Sequence, residues 1–240
     1  MTPNSYYLLR IQADVISRRD ELLQAFELSP DESNYWAFVD LVGSSNYRLT
    51  RGAQEGYVRG EEFYGLVYSA IGPYREIEAF KELGDGVLLS CKNLRPLFES
   101  CLLVVQTADN LAEVAGTKAF PFAVRVSISY GACKRLRMRE LPDYIGSPID
   151  EAARLNGAAK PNEILISHGA HQLNSQVLSD FADFATFGAV EQLSPQQSKN
   201  MVTPVRYRRA LIDGDAFRRH EGGFAPWRSF AEPGPASESP

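Results

Sequence analysis

The sequence places two aspartates where a chain commonly presents a carboxylate at the rim of a β-sheet. Asp40 follows residues 35–39, an aromatic and β-branched run that predicts a buried strand, and Asp85 lies in Gly84-Asp85-Gly86, which predicts a hairpin turn. If the first strand lies beside that hairpin, both carboxylates meet at one rim. Such a pair suits two Mg²⁺ or Mn²⁺ ions, which can lower the pKa of a hydroxyl and neutralise a triphosphate. Either residue alone is better explained as part of an ordinary turn.

A Gly-Ser segment follows Asp40 and leads into a predicted helix. In Gly43-Ser44-Ser45, the backbone N–H groups could cradle phosphate oxygens, as loops that enter helices often do. Gly-Ser pairs are also common in plain turns, so this segment is weak evidence for a ligand without support from its surroundings.

Two arginines are candidates for binding phosphate charge. Asp150 and Arg154 lie four residues apart on a predicted helix and share a face. They form either a solvated ion pair, worth about 0.3 kcal/mol, or a surface from which the planar guanidinium of Arg154 binds a developing phosphate charge. Arg125 interrupts an apolar strand between Val124 and Val126, so its side chain either faces solvent or reaches a ligand.

Length and composition set the class of protein. The chain has 240 residues, of which 44% are hydrophobic and 23% charged, which is typical of a globular protein with a full core and excludes wholesale disorder. A net charge of −5 argues against a general nucleic-acid coat. The sequence has no apolar run of membrane-spanning length and no signal-peptide pattern. The three cysteines indicate reduced thiols, so we expect a cytoplasmic protein. The three histidines form no metal pattern and are expected at the surface.

The hydrophobic pattern predicts the elements that would position these residues. Helices are predicted over residues 8–26, 53–71, 94–115 and 147–158, and strands over residues 35–39, on both sides of 84–86, and over 122–130, 163–167 and 204–211. Long helices between strands and hairpins predict an α+β sandwich with the helices on one side of a mixed sheet.

The same pattern divides the chain into three parts. Residues 1–30 are predicted to form an N-terminal helical extension, residues 31–213 the main domain, and residues 214–240 a C-terminal tail. Ten of the residues in 221–240 are Gly, Pro or Ser, so we expect this tail to be mobile.

The motifs occur in one order along the chain. The order is Phe38-Val39-Asp40-Leu41-Val42-Gly43-Ser44, Lys81-Glu82-Leu83-Gly84-Asp85, Arg125-Val126-Ser127-Ile128-Ser129-Tyr130-Gly131, Asp143-Tyr144-Ile145-Gly146, Asp150-Glu151-Ala152-Ala153-Arg154-Leu155 and Pro161-Asn162-Glu163-Ile164-Leu165-Ile166-Ser167. This series resembles the class III nucleotidyl cyclases over roughly residues 35–211. The resemblance implies a ferredoxin-like α+β catalytic domain, with helices packed on a mixed, mostly antiparallel sheet. It also implies a head-to-tail homodimer with two shared sites.

The resemblance assigns roles to individual residues. Asp40, Leu41 and Asp85 would hold two Mn²⁺ or Mg²⁺ ions per site, and Arg154 would act with the two aspartates in catalysis by stabilising the transition state. The residues expected to bind the nucleotide are Phe38, Leu41, Val42, Gly43, Ser44, Tyr47, Lys81, Arg125, Asp143 and Asp150. Of these, Arg125 would contact a phosphate. The implied reaction is attack of the ribose 3′-OH on the α-phosphate, which expels pyrophosphate and leaves a 3′,5′-cyclic nucleotide.

Asp150 departs from the family pattern, which usually has Asn at this position. An amide can donate a hydrogen bond to the ribose and an ionised aspartate cannot. This departure bears on ribose handling, and it is the only indication for a catalytically inactive cyclase-like domain that merely binds nucleotide.

The residues that would read the base give two different indications. Lys81 and Asp143, which relatives supply from the chain opposite the metals, are the residue types associated with adenine. The segment from Phe38 to Glu61 instead resembles the Pycsar pyrimidine cyclases of bacteria. Those are soluble enzymes without a sensor domain that make cyclic UMP or cyclic CMP during phage infection. Tyr47 either forms a wall that excludes a purine or packs under the next helix.

We therefore expect UTP to be the preferred substrate, with CTP second and ATP poor. A crowded pocket would select by size, and Lys81 can donate to O4 of uracil while Asp143 accepts from N3–H. The alternative is an adenylate or cytidylate cyclase. In the favoured interpretation the product is a second messenger in antiphage defence, and a separate cyclic-nucleotide-gated effector reads it.

Overall fold

The computed structural model describes residues 18–114, 122–138 and 141–219. Within these ranges the strands are β1 (Asp31–Leu41), β2 (Glu78–Glu82), β3 (Gly86–Cys91), β4 (Val124–Met138), β5 (Leu141–Ile145), β6 (Glu163–Ser167), β7 (Ala185–Phe187), β8 (Glu191–Gln192) and β9 (Arg206–Ile212). The helices are α1 (Arg19–Leu28), α2 (Ser44–Arg51), α3 (Ala53–Ile71), α4 (Leu94–Val114), α5 (Ser147–Ala158), α6 (His168–Leu173), α7 (Ser175–Ser179) and α8 (Gly214–Arg219).

The strands form one mixed and mostly antiparallel sheet. Its order is β2-β3-β1-β4-β6-β9-β7, with β5 paired to β4 and β8 to β9. Only β4 and β6 run parallel among these pairs, because α5 crosses over between them. The predicted α+β class with a mixed, mostly antiparallel sheet is confirmed.

The central strand β1 carries two different faces, because successive side chains of a strand point to opposite sides. Ala37 and Val39 are fully buried in the main core, which also contains Phe63 and Val67 of α3. Burying one such side chain contributes about 1.5–3 kcal/mol. This core also takes in α4, so α3 and α4 form a helical layer on one face.

The opposite face of the sheet is covered by α5. Two serines of β4 fix the helix, since Ser127 Oγ donates to the Ala152 carbonyl at 2.6 Å and Ser129 Oγ donates to the Pro148 carbonyl at 2.5 Å. Asn156 Nδ2 donates to the Phe38 carbonyl at 2.9 Å. The expectation that the helices lie on one side of the sheet is therefore wrong. The side chains of Ser127 and Ser129 alternate with the core residues of β4, and the sequence pattern does not show which helix they meet.

The terminal segments differ in part from the expected organisation. The structure begins α1 at Arg19, and the earlier part of the predicted helix over 8–26 lies outside the described residues. Residues 214–219 form the short helix α8, where a tail was expected, and residues 221–240 lie outside the described ranges. Where the chain is described, no helix combines the length and apolar character needed to span a bilayer.

The cysteines and histidines occupy ordinary structural positions. Cys91, Cys101 and Cys133 are free and buried, as expected. His168 and His171 open α6 and are partly buried rather than fully at the surface. The His171 ring packs edge-on against Phe187 with centroids 4.9 Å apart, while the third histidine lies outside the described residues.

Candidate functional site

The structure brings Asp40 and Asp85 to the same end of the sheet. Asp40 is the next-to-last residue of β1 and is paired across the ladder with Gly86 of β3. The next backbone N–H, that of Leu41, donates to the Asp85 carbonyl at 2.8 Å. Ser44 Oγ donates to Asp85 Oδ2. The hairpin therefore holds the second carboxylate directly beside the end of the first strand.

Arg125 forms an ion pair with Asp40. The two residues face each other in the β1–β4 ladder, and the guanidinium donates from Nε to Asp40 Oδ2 at 3.0 Å and also from a terminal nitrogen. The sequence predicted that Arg125 would either face solvent or reach a ligand, and this contact with Asp40 is neither of the two. Its partner is a neighbouring strand residue, which the sequence pattern does not identify.

Opposing effects act on the Asp40 carboxyl, which is 7% exposed. Burial raises its pKa, the hydrogen bond and charge of Arg125 lower it, and the nearby charge of Asp85 raises it again. The net direction is upward, because burial and Asp85 together outweigh Arg125, so a further cation beside this carboxyl would stabilise its charged form.

The donor set fits a divalent ion that also takes oxygen ligands from a substrate. The described residues contain no group of three or more His, Cys, Asp and Glu side chains that could hold a metal by themselves. Mg²⁺ is usually bound by one or two carboxylates together with water and substrate phosphates, not by an all-protein cage. Asp40 and Asp85 supply two such carboxylates, and the main chain of Leu41 is hydrogen-bonded to that of Asp85.

The Gly-Ser segment forms the start of α2 beside this carboxylate pair. Gly43 precedes the helix with φ of 69°, a left-handed conformation that glycine adopts without steric cost. Ser44 and Ser45 form the first turn and line a cavity of about 230 Å³ that Asp85 also lines. The N–H groups of this turn therefore lie near the expected metal ligands, as the cradle hypothesis requires. Val42 joins the segment to β4 through its N–H, which donates to the Ala123 carbonyl at 2.9 Å.

Two arginines that the sequence did not assign to the site line the same cavity. Arg48 comes from α2 and Arg59 from α3, and both lie on the cavity wall with Gly84 and Asp85. They are eleven positions apart, and only the reversal of the chain at Gly52 brings them together. The sequence signal was an arginine in each of two consecutive helical segments, which does not reveal that the helices fold back on each other.

Tyr47 packs under α3, which is the second of the two alternatives considered for it. Its ring lies against the Arg59 guanidinium at 4.4 Å, and its hydroxyl donates to Glu55 Oε2 at 3.3 Å. It lines a separate cavity of about 580 Å³ together with Arg59 and Phe122. Tyr47 is not among the residues that line the cavity at Asp85, so it forms no wall there.

Lys81 and Asp143 meet on the outer part of the sheet. Lys81 Nζ donates to Asp143 Oδ2 at 2.6 Å, and the Tyr144 N–H donates to the other carboxylate oxygen at 2.8 Å. The end of β4 and β5 reaches back to β2, where the register shifts between Ala79 and Lys81. A bulge of this kind redirects the side chains that follow it.

An aromatic cluster of Trp36, Phe80 and Tyr144 packs next to the Lys81–Asp143 pair. Tyr144 packs on Trp36 with centroids 4.9 Å apart and on Phe80 with centroids 5.0 Å apart. Trp36 is fully buried and donates from its ring N–H to the Gly131 carbonyl at 2.9 Å. The cluster therefore fixes β5 against the sheet and holds Asp143 in place, while Lys81 stays exposed.

Asp150 and Arg154 lie on the outer side of α5. Both are exposed, whereas Ala152, Leu155 and Asn156 face the sheet. No ion pair joins Asp150 to Arg154 in the part of the chain that the structure describes, so the alternative of an i,i+4 pair is not supported. Arg154 presents its guanidinium away from its own domain.

Phe38 lies between the carboxylates at Asp40 and the Lys81–Asp143 pair. It is half-buried on the same face as Asp40, and a Cβ at Gly86 would lie 2.7 Å from its ring. Its carbonyl accepts from Asn156, which ties β1 to α5. The structure thus gathers the predicted residues into a carboxylate rim at Asp40, an outer pair at Asp143 and an exposed arginine on α5.

No family model matches the chain. Among characterised proteins, it is similar to the pH-sensitive adenylate cyclase of Mycobacterium tuberculosis (strain CDC 1551 / Oshkosh), with 28% identity over 137 residues. This match covers 57% of the chain and 31% of that protein. The chain therefore spans less than a third of the characterised relative that it matches.

Solved structures resemble the chain over most of its length. The adenylyl cyclase CyaB from P. aeruginosa has a TM-score of 0.58 and 17% identity, with 77% of this chain and 97% of that chain covered. The adenylate/guanylate cyclase/hydrolase from Silicibacter pomeroyi has a TM-score of 0.61 and 21% identity, with 77% and 99% covered. An adenylate cyclase from Trypanosoma brucei in its monomeric state has a TM-score of 0.61 and 16% identity, with 75% and 90% covered. The fold is that of class III cyclase catalytic domains.

Proposed function

We propose that this protein is a nucleotidyl cyclase, a lyase that converts a ribonucleoside triphosphate into a 3′,5′-cyclic nucleotide and pyrophosphate. The observation that carries the proposal is the placement of Asp40 and Asp85 at one rim of a cyclase fold, beside a cavity lined by Ser44, Arg48 and Arg59. In the reaction the ribose 3′-oxygen bonds to the α-phosphorus, the bond to the β-phosphate oxygen breaks, and the hydroxyl proton passes to solvent. Two divalent ions bound by the aspartates would lower the pKa of the hydroxyl and neutralise the triphosphate.

The residues of this chain would position the substrate around those ions. The first-turn N–H groups of Ser44 and Ser45 would bind phosphate oxygens. Arg125 would exchange its contact with Asp40 for a contact with a phosphate once a metal neutralises that carboxylate. Asp150, an acceptor in its ionised form, would receive a hydrogen bond from a ribose hydroxyl, where an Asn would donate one.

We further propose a homodimer in which each site is shared. Arg154 is exposed on α5 and would stabilise the transition state in the site of the second chain. Lys81 and Asp143 would face the base bound there. The support is the resemblance to a family that works in this way, together with the outward position of Arg154.

The substrate that we propose is UTP, with CTP second. The support is the resemblance of the segment from Phe38 to Glu61 to pyrimidine cyclases, and the match of Lys81 and Asp143 to O4 and N3–H of uracil. Size selection by Tyr47 is not part of this proposal, because Tyr47 packs under α3. On the same resemblance we propose that cyclic UMP acts in antiphage defence through a separate effector.

The second candidate is an adenylate cyclase. The characterised relative is named as one, and adenine also offers an acceptor at N1 beside a donor at its 6-amino group, so Lys81 and Asp143 suit it too. If adenine is the base, cyclic AMP replaces cyclic UMP as the product and ATP supports the higher turnover.

One assay tests both levels of the proposal. The purified protein is incubated with Mn²⁺ and equal concentrations of UTP, CTP, ATP and GTP, and the products are separated by chromatography. Cyclic UMP as the main product supports the favoured substrate, and cyclic AMP supports the second candidate. Absence of any cyclic nucleotide from well-folded protein in Mn²⁺ and in Mg²⁺ would overturn the proposed activity. For the antiphage role, cyclic UMP measured in expressing bacteria before and after phage addition should rise, and an unchanged level would count against it.

A further inference from the structure

The cavity beside Asp85 is lined by two arginines that have no role in the proposed metal site. It has a volume of about 230 Å³ and is lined by Leu41, Ser44, Ser45, Arg48, Gly56, Arg59, Gly60, Gly84 and Asp85. Two arginines thus line this concave space together with one carboxylate, and that carboxylate is the neighbour of Asp40. Such a space suits a small polyanion.

Arg59 is held in a fixed orientation on the cavity wall. It is only 7% exposed, and its guanidinium lies 4.4 Å from the centroid of the Tyr47 ring and 5.3 Å from that of Phe122. Contacts of this kind with aromatic faces stabilise a cation. They also restrain the planar fork, which is the geometry that binds phosphate oxygens in pairs.

Arg48 reaches the cavity because the facing position of α3 is a glycine. A Cβ built at Gly56 would lie 2.9 Å from Cγ of Arg48 and 3.0 Å from its Cβ. The stem of Arg48 therefore lies flat against the backbone of α3. Any side chain at position 56 would push this stem away, so Gly56 determines where the exposed guanidinium of Arg48 ends.

The arginines share their cavity with residues of the expected metal site. In the proposed reaction the α-phosphate would lie next to Asp40 and Asp85. Asp85 and the first turn of α2 at Ser44 line the same cavity as Arg48 and Arg59. The two outer phosphates would therefore have room in a space that these arginines border.

We propose that Arg48 and Arg59 bind the β- and γ-phosphates of the substrate, and the pyrophosphate product after the reaction, with Gly56 as a positioning residue for Arg48. This inference rests on the proposed function. It adds a binding site for the leaving group that is distinct from the residues assigned to the metals, the base and the transition state.

The test measures binding of inorganic pyrophosphate in the presence of Mn²⁺ by isothermal titration calorimetry. Arg48→Gln is expected to weaken pyrophosphate binding about tenfold or more, because hydrogen bonds to charged groups are the stronger ones. Gly56→Ala is expected to weaken it several-fold although no charge is removed. Affinity for the cyclic nucleotide product, which lacks these phosphates, should stay unchanged in both variants.

Matched variants separate positioning from effects on folding. Gly65→Ala lies in the same helix, meets nothing within 4 Å and lies outside this cavity, so it should bind pyrophosphate like the wild type. Arg59→Lys keeps the buried charge but loses the planar fork, and it should bind more weakly while remaining folded by circular dichroism. If Arg59→Lys does not fold, Arg48→Gln and Gly56→Ala still decide the outcome.

The outcomes also separate this inference from the proposed activity. If the wild type makes a cyclic nucleotide but Arg48→Gln and Gly56→Ala bind pyrophosphate as tightly as it does, the phosphate site is wrong and the activity stands. If no nucleotide is cyclised but these variants still lose pyrophosphate binding and Gly65→Ala does not, the activity is wrong and the anion site stands. Equal loss in Gly65→Ala would overturn the positioning role of Gly56.

Discussion

Two regions of the sheet each pair a buried carboxylate with a cation, and their surroundings differ. The side chains of Asp40 and Asp143 are 11% and 12% exposed, but the cation is 30% exposed in Arg125 and 42% exposed in Lys81. Asp40 has a second carboxylate, Asp85, as a neighbour. Asp143 has instead a backbone N–H donor from the next residue. The first region therefore brings two carboxylates together beside one ion-paired arginine, while the second holds one carboxylate and one lysine.

This difference indicates what each region can bind. An excess of carboxylate favours a metal ion, which can replace or supplement the arginine. The Lys81 side chain is 42% exposed, so a flat group with one donor and one acceptor could insert between Lys81 and the buried Asp143 by replacing their hydrogen bond with two new ones. In the proposed function, the same two residue types, a basic one and an acidic one, would bind a polyanion with its metal ions at one place and a base edge at the other.

The largest expected effect comes from removing either carboxylate of the first region. Asp40→Asn or Asp85→Asn should reduce turnover by about a thousandfold or more, equivalent to roughly 4 kcal/mol of transition-state stabilisation, because an amide does not replace a charged metal ligand. The measurement is cyclic-nucleotide formation with circular dichroism as a control for folding. Asp180→Asn, an exposed aspartate paired with Arg95, should keep full activity. Near-normal turnover by either site variant would refute the metal assignment.

The second prediction asks whether the two regions work across chains. Asp40→Asn and Arg154→Ala should each be inactive as homodimers. A heterodimer of the two, co-expressed with different tags and purified by both, should recover about half of the wild-type activity, because one of its two sites is intact. A purified heterodimer that stays inactive would show that each chain uses its own Arg154.

The third prediction concerns the cation of the first region alone. Arg125→Gln removes the positive charge from Asp40, so Mn²⁺ should bind about tenfold more tightly, or roughly 1.4 kcal/mol, as measured by electron paramagnetic resonance without nucleotide. The matched variant Lys81→Gln changes the cation of the other region and should leave Mn²⁺ affinity unchanged. Weaker Mn²⁺ binding in Arg125→Gln would show that the arginine orients Asp40 for the metal instead of competing with it.

The last prediction concerns stability instead of activity or metal binding, and it tests a third carboxylate, that of Glu151. Burial raises the pKa of Glu151 on α5 to about 7, well above its unfolded value, so ionisation destabilises the folded state. The neutral Glu151 carboxyl therefore makes its full contribution to the free energy of unfolding below about pH 4.5, and this contribution is lost as the pH rises toward 7. In Glu151→Gln this pH dependence should be absent. The free energy of unfolding of the variant, measured relative to that of the wild type, should therefore be up to about 3 kcal/mol higher at pH 8 than at pH 4.

Thermal or denaturant unfolding across this pH range checks the effect. Asp150→Asn changes the exposed neighbour of Glu151 and should unfold with the pH dependence of the wild type. A Glu151→Gln variant that keeps the wild-type pH profile would show that the Glu151 carboxyl is hydrated in solution.

Much of the local structure was predictable, because its causes lie close together in the sequence. The hairpin around Asp85 and the bounds of α3 are confirmed. Glycine turns and apolar spacing act within a few residues, so they can be read without the tertiary structure. The order of the cyclase-like motifs likewise predicted the fold class that the structure shows.

The sequence by itself determined that Asp40 ends a buried strand and that Asp85 lies in a hairpin turn. Only the tertiary structure decided which charges these aspartates meet. Arg125 is 85 positions from Asp40, and Arg48 and Arg59 reach the cavity only because α2 and α3 fold back on each other. Tyr47 faces α3 for the same reason. Alternation along a strand fixes the face on which a side chain lies, but the partner on that face depends on which distant segments pack there.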